Sequence, residues 1–125
     1  MSTLKVNTIQ NTSGGSSSTP EQIEQGRAKA WIHFDGQDTV AIRDSFNVSS
    51  IADTGTGRYT INFTNSFSNA NYCMAGSHEA FSDGVCVVGE NALVGFSTSA
   101  AAIQTTVYNA LSDPARVRVI FIGDN

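Results

Sequence analysis

Hydrophobic and polar residues alternate with a period of two along most of this chain, the signature of half-buried β-strands. In AKAWIHFD, Ala28, Ala30, Ile32 and Phe34 share one face, while Lys29, Trp31 and His33 share the other. DGQD (35–38) reads as a turn. TVAIRDSFNV follows, with Val40, Ile42, Phe46 and Val48 on one parity and Asp44 interrupting them. Ile51 then falls out of step with Val48, which fits a bulge or a strand end. TGTG (54–57) signals a hairpin, and RYTINFT alternates cleanly, with Tyr59, Ile61 and Phe63 inward. NSFSNAN (65–71) reads as a loop with Phe67 tucked beneath it. YCMAGSHEA and VCVVGE read as strands joined by a turn at SDG (82–84), and Asn91-Ala92 as a turn before LVGFSTS. AAAIQTTVYNAL is read as one strand, because Thr105, Thr106, Val107 and Tyr108 outweigh the helix preference of its alanines. SDP (112–114) breaks it. In RVRVIFIGDN, Val117, Val119 and Phe121 share one face and Ile120 and Ile122 the other. A strand apolar on both faces is central, or is covered on its second face by another layer or subunit.

The beginning of the chain reads differently. In TLKVNTIQ (3–10), Leu4 and Val6 alternate and Ile9 is one step out of phase; so short a segment needs a neighbour to pair with. NTSGGSSS has the composition of a flexible linker. Thr19-Pro20-Glu21-Gln22 is a helix start: Thr19 caps, Pro20 suits the first turn, and Gln22 completes a capping box. Gly26 limits that helix to one or two turns, with Ile23 as its apolar anchor. The expectation is an all-β domain at residues 28–125, a single β-sandwich or jelly-roll-like barrel of about eight antiparallel strands. Residues 1–27 precede it as an extended segment with one short helix.

Composition narrows the functions. Charged residues make up 14% of the chain, below the roughly 25% usual in soluble domains. Such a surface suits β-proteins that work outside a cell or pack against copies of themselves. The net charge is −4, with no basic cluster, so a nucleic-acid partner is not expected. No stretch is long and apolar enough for a membrane span, and no apolar core follows a basic start, so neither membrane insertion nor a secretory leader is expected. The spacing of Cys73 and Cys86 fits no zinc or redox pattern; both read as buried thiols acting as small hydrophobes. Three glycosylation sequons, at Asn11, Asn47 and Asn62, are what a chain so rich in Asn, Ser and Thr produces by chance.

Candidate chemistry is sparse. His33 and His78 stand alone, and His78-Glu79 supplies too few groups for tetrahedral zinc. DGQD (35–38) and Asp53-Thr54-Gly55 lack the carboxylate density of a calcium loop. There is no nucleophile motif and no phosphate loop, since no helix follows GTGRYT. Trp31 and the tyrosines have faces suited to sugar rings, but core or interface packing is their commoner use. No enzyme activity, metal or cofactor is expected.

STLKVNTIQNTSGGSSSTPEQIEQGRAKAW and HFDGQDTVAIRDSFNVSSIADTGTGRYTINFTNSFSNANY carry a resemblance. They are similar to short tail-fibre or virion structural proteins of marine bacteriophages, including those infecting cyanobacteria. There a KVNTIQNTSGG element precedes a GRAKAW strand, an NVSSI hairpin and an ANY strand. Residues 3–72 carry most of the match. The resemblance implies a virion part assembled in the host cytoplasm, a homotrimer, with no receptor or catalytic residue to carry over. On this reading Leu4, Val6, Ile9, Ile23 and Trp31 make the oligomer or attachment contacts. Loops holding Asn69, Asn71, Ser82, Asp83 and Asn91 would meet a host-surface component such as a glycan, with avidity adding up weak sites. The alternative is a capsid decoration, head-fibre or tail-adaptor protein whose partners are other virion proteins, met through residues 1–27. A small carbohydrate-active enzyme is the third class.

Overall fold

The structure, a computed structural model, describes residues 1–79 and 85–124. In chain order its elements are β1 (Ile9–Gln10), β2 (Ser17–Ser18), α1 (Pro20–Gly26), β3 (Ala30–Asp35), β4 (Ala41–Phe46), β5 (Val48–Gly55), β6 (Arg58–Phe63), β7 (Cys73–His78), β8 (Cys86–Glu90), β9 (Ala100–Val107), β10 (Ala110–Leu111) and β11 (Val117–Ile122). The cleanest alternations become the inner strands. β3 and β11 bury Ala30, Ile32, Phe34 and Val117, Val119, Phe121, and pair with each other, Val119 opposite Ile32. β4 and β7 flank them, giving an antiparallel sheet ordered β4-β3-β11-β7. In the second sheet β6 lies between β5 and β9, and β8 and β10 both pair with β9. The buried faces of β6 (Tyr59, Ile61, Phe63) and β9 (Ala101, Ile103) meet those of β3 and β11 in one core. The fold is an all-β sandwich with one short helix.

Aromatic rings close one end of the core. Phe63 makes edge contacts with Phe67, Tyr72 and Phe121 at centroid distances of 4.9, 5.8 and 5.2 Å. Tyr72 stacks on Phe67 and on Phe96, a geometry that adds to plain burial. Phe67 is buried beneath its loop as its sequence context predicts. At the other end, the Tyr59 hydroxyl donates to Asp113 Oδ1 (2.8 Å), which also accepts from Gly57 N (2.6 Å). This ties the β5–β6 turn to the 112–114 break. Gly57 has φ +62°, and a Cβ there would lie 2.6 Å from Thr105 O. Only glycine fits so close an approach in a left-handed conformation.

The structure departs from the sequence reading in several places. TVAIRDSFNV is two strands in different sheets, not one. The chain crosses between sheets at Asn47, which takes φ 56°. Its amide bonds Lys29 O and Asn65 O, both at 3.0 Å, and its Oδ1 accepts from Asn65 N at 2.7 Å. A register shift between His33 and Phe34 breaks the expected parity in β4, so Phe46 pairs with Trp31 on the outer face. AAAIQTTVYNAL is a hairpin, β9–β10, turned at Tyr108 and Asn109 with φ 48° and 65°; two positive φ values mark a type I′ turn. LVGFSTS is turn and bend with a single bridge, Phe96 to Ala101. Lys29, read as outward, is 3% exposed, with its ammonium against Glu24 of α1. Cys73 is exposed and Cys86 half-buried, because the Cys73 parity in β7 points to the outer face of its sheet.

NTSGGSSS does not behave as a flexible linker. Asn11 Oδ1 accepts from Ser13 Oγ and Gly15 N, both at 2.9 Å, and Asn11 N donates to Ser16 O at 3.0 Å. This is a side-chain-organised turn of the kind Asn favours. It closes the two-residue pairing of β1 with β2. The capping box forms as read: Gln22 N donates to Thr19 Oγ1 (3.2 Å) and Thr19 N to Gln22 Oε1 (2.9 Å).

Candidate interaction surfaces

Two apolar surfaces have no cover among the described residues. The first lies in the N-terminal segment. Leu4, Val6, Ile9 and Ile23 are 84%, 38%, 55% and 44% exposed and line one open groove of about 630 Å³ with Lys5, Pro20 and Glu21. The structure thus gathers four of the five residues read as contacts. They belong together because the Asn11 turn folds β1 back on β2, and the capped helix follows at once. Hydrogen bonding to the backbone at the helix start holds the Glu21 carboxyl below its usual range; Lys29 does the same to Glu24. Glu24 also pairs with Arg27 at 2.9 Å. Through Glu24 the helix is fastened to buried Lys29 at the foot of β3.

The second surface is the outer face of β4-β3-β11-β7, where Trp31 sits apart from the other four. Directly paired residues of a sheet share a face. Register therefore places Phe46, Trp31, Ile120 and Ala75 in one row across all four strands, and Asp44, His33, Arg118 and Ser77 in the next. Phe46 is 55% exposed, and Ile120 and Ile122 are 38%. Over Trp31, Ala75, Ser77 and Ile120 lies a shallow hollow of about 470 Å³. The two-faced apolarity of β11 gave this surface away in the sequence. Phe46 was missed because the register shift in β4 is invisible there. β11 is central, the first of the two alternatives read, and among the described residues no layer covers Ile120 and Ile122.

The residues read as receptor contacts divide. Asn69 and Asn71 lie together, Asn71 N donating to Asn69 Oδ1 at 2.8 Å, and border a hollow of about 350 Å³ with Gln25 and Asp124. Asn91 is 4% exposed and does not qualify. Its N–H donates to Ala102 O, its carbonyl accepts from Val94 N and Gly95 N, and its Oδ1 accepts from Leu93 N. Ser82 and Asp83 lie outside the described residues.

Other polar groups are engaged structurally. Both ring nitrogens of His78 lie at hydrogen-bond distance from carbonyl oxygens, Glu79 O (2.8 Å) and Thr106 O (2.9 Å), joining β7 to β9. Glu79 pairs with Arg116 at 2.7 Å, so both residues of His78-Glu79 are engaged within the fold. His33 Nε2 is an exception, buried without a hydrogen-bond partner among the described residues. Asp35 is held below the usual carboxylate range first by the Gln37 backbone, then by Arg43. Burial, reinforced by Asp113, pushes the Tyr59 phenol well up; burial, with Glu90 nearby, pushes Tyr72 up to about 12. Among the described residues no group of three or more His, Cys, Asp or Glu is placed to hold a metal ion. Among those residues no helix is long and apolar enough to cross a membrane. Comparison with protein-family models, curated proteins and solved structures gave no match to this chain.

Proposed function

We propose that this chain is a structural protein of a phage virion, a tail-fibre or adhesin domain that works as a homotrimer and binds a host-surface component. The phage assignment rests on the resemblance of residues 3–72. The observation that carries the binding role is the groove of Leu4, Val6, Ile9 and Ile23. Contiguous exposed apolar surface is a mark of protein–protein contact, and these four side chains have no cover among the described residues. Three copies meeting through residues 1–27 would bury them. The sandwich then presents the loop around Asn69 and Asn71 to a glycan, in three copies, so that weak sites add up.

The same groove favours a second reading, in which it seats another virion protein and the chain is a capsid decoration, head-fibre or tail-adaptor protein. One substituted chain separates the two. Leu4→Asp with Ile9→Asp should reduce the trimer to monomer under the first reading. Under the second the purified wild type is already monomeric, and the substitutions block incorporation into particles. For the receptor, replacing residues 69–71 should abolish binding to purified host envelope; unchanged binding would rule that loop out.

A further inference from the structure

We propose that the outer face of the β4-β3-β11-β7 sheet is a two-fold contact with a second copy of this chain. The argument starts from register. Across the sheet the apolar row runs Phe46, Trp31, Ile120, Ala75, from a large exposed side chain at one edge to a small one at the other. The hollow of about 470 Å³ runs from Trp31 on β3 across Ile120 on β11 to Ala75 on β7, the small end. A face with a ridge at one edge and a hollow reaching from its middle to the opposite edge is complementary to itself. Rotation by a half-turn about an axis parallel to the strands, between β3 and β11, sets β4 over the partner's β7 and β3 over the partner's β11. Phe46 then enters the hollow above the partner's Ala75, and Trp31 meets the partner's Ile120. Each contact occurs twice, as an isologous interface requires.

The polar row agrees in charge. Asp44 faces the partner's Ser77 across the roughly 10 Å between packed sheets and is offset sideways by one strand, about 4.8 Å, from the partner's Arg118, within reach of that long side chain. Arg118 also covers the partner's His33, with Asp44 beside it. Neither Asp44 nor Arg118 makes an ion pair in its own chain among the described residues, and register holds them two strands apart. Four strands at about 4.8 Å and six residues at about 3.3 Å give a face of roughly 400 Å² per copy before side-chain relief. The pair therefore falls near or below the ~1,200 Å² lower edge of specific interfaces. This contact is reversible and concentration-dependent, and it doubles whatever assembly the N-terminal segment makes; with a trimer, it joins two trimers with dihedral symmetry.

Sedimentation velocity of the full chain, from dilute to roughly millimolar concentration, tests this, with circular dichroism confirming that each variant is folded. The mass should double with concentration. Asp44→Arg and Arg118→Asp should each abolish the doubling, and the double variant, with the charges exchanged, should restore it. Ala75→Trp, which fills the hollow, should abolish it too. A wild-type mass that does not double overturns the proposal, as does doubling that persists in Asp44→Arg or is not restored by the exchange. Doubling lost in Leu4→Asp but kept in Asp44→Arg would assign the face to a neighbour's N-terminal segment and equally refute the two-fold contact. A monomer–dimer pattern would uphold this contact while contradicting the trimer; a trimer indifferent to concentration would do the reverse.

Discussion

Replacing Gly57 by alanine tests the joint that closes one end of the sandwich. The new Cβ would lie 2.6 Å from Thr105 O, 2.7 Å from Ser112 N and 3.0 Å from Ser112 O. All three are backbone atoms, so relief requires the β5–β6 turn to move away from β9 and the 112–114 break. That movement strains two hydrogen bonds, Gly57 N to Asp113 Oδ1 at 2.6 Å and Thr105 N to Gly57 O at 2.9 Å. A non-glycine residue in the left-handed region costs about 1–2 kcal/mol, and weakening a hydrogen bond to a carboxylate costs about 1.5–3 kcal/mol when the bond is lost outright. The two overlap, because the shift relieves part of the first. We expect a loss of about 2–4 kcal/mol, a large fraction of the ~5–15 kcal/mol that holds a domain folded. Gly95→Ala is the control. Gly95 has φ +79°, but its nearest new neighbour would be Glu90 Oε1 at 3.5 Å, an ordinary contact. That variant should lose only the backbone term, about 1–2 kcal/mol. The assay is urea unfolding followed by circular dichroism at one fixed chain concentration. With an m-value of about 1.5 kcal/mol per molar, Gly57→Ala should lower the midpoint by roughly 1.3–2.7 M. Equal midpoints for the two alanine variants would refute the close approach at Gly57.

Tyr59→Phe leaves Asp113 with one donor fewer in a partly buried setting and should cost about 1–2 kcal/mol in the same unfolding assay. Tyr59 and Tyr72 keep their protons in the folded chain beyond the pH at which an unfolded tyrosine, near 10, loses its own. Their stabilising contribution is full below about 10 and falls as the pH rises toward about 12; unfolding midpoints and phenolate absorbance should record late, cooperative titration, and stability flat across that window would contradict it. Thr19→Ala removes the acceptor for Gln22 N and should destabilise α1 by about 1 kcal/mol, read as faster amide exchange confined to residues 20–26. Glu24→Gln takes the charged partner from buried Lys29. It should lower stability, and adding Lys29→Met should recover part of the loss, measured as unfolding midpoints.

Much of the sandwich was legible because burial is periodic. Tyr59, Ile61 and Phe63 alternate with polar residues in a strand whose other face is half-exposed, so composition records geometry directly. The capping box was legible because its reach is local. What escaped is set by non-local contacts. Nothing around Phe46-Asn47-Val48 says that the strand ends, since apolar residues continue on both sides; the corner exists because Asn47 finds Lys29 O and Asn65 O across the two sheets. Asn91 read as an exposed turn residue, yet its backbone and side chain are consumed in folding its own loop. Asn11 turned a Gly-Ser stretch into a defined turn through one side chain, which composition alone averages away. For the surfaces, Leu4, Val6 and Ile9 were visible as an apolar segment without a partner, and Ile120 and Ile122 as a second apolar face. The row joining Ile120 to Phe46 needed the strand register.

The central claim is that the exposed groove of Leu4, Val6, Ile9 and Ile23 is covered by other copies of the same chain. Light scattering of the purified protein at low concentration, where the weaker sheet contact is dissociated, tests it most directly. The account predicts a mass three times that of the 13.2 kDa chain, falling to one chain in the Leu4→Asp, Ile9→Asp variant. A wild-type protein that remains a 13.2 kDa monomer as its concentration is raised would contradict it.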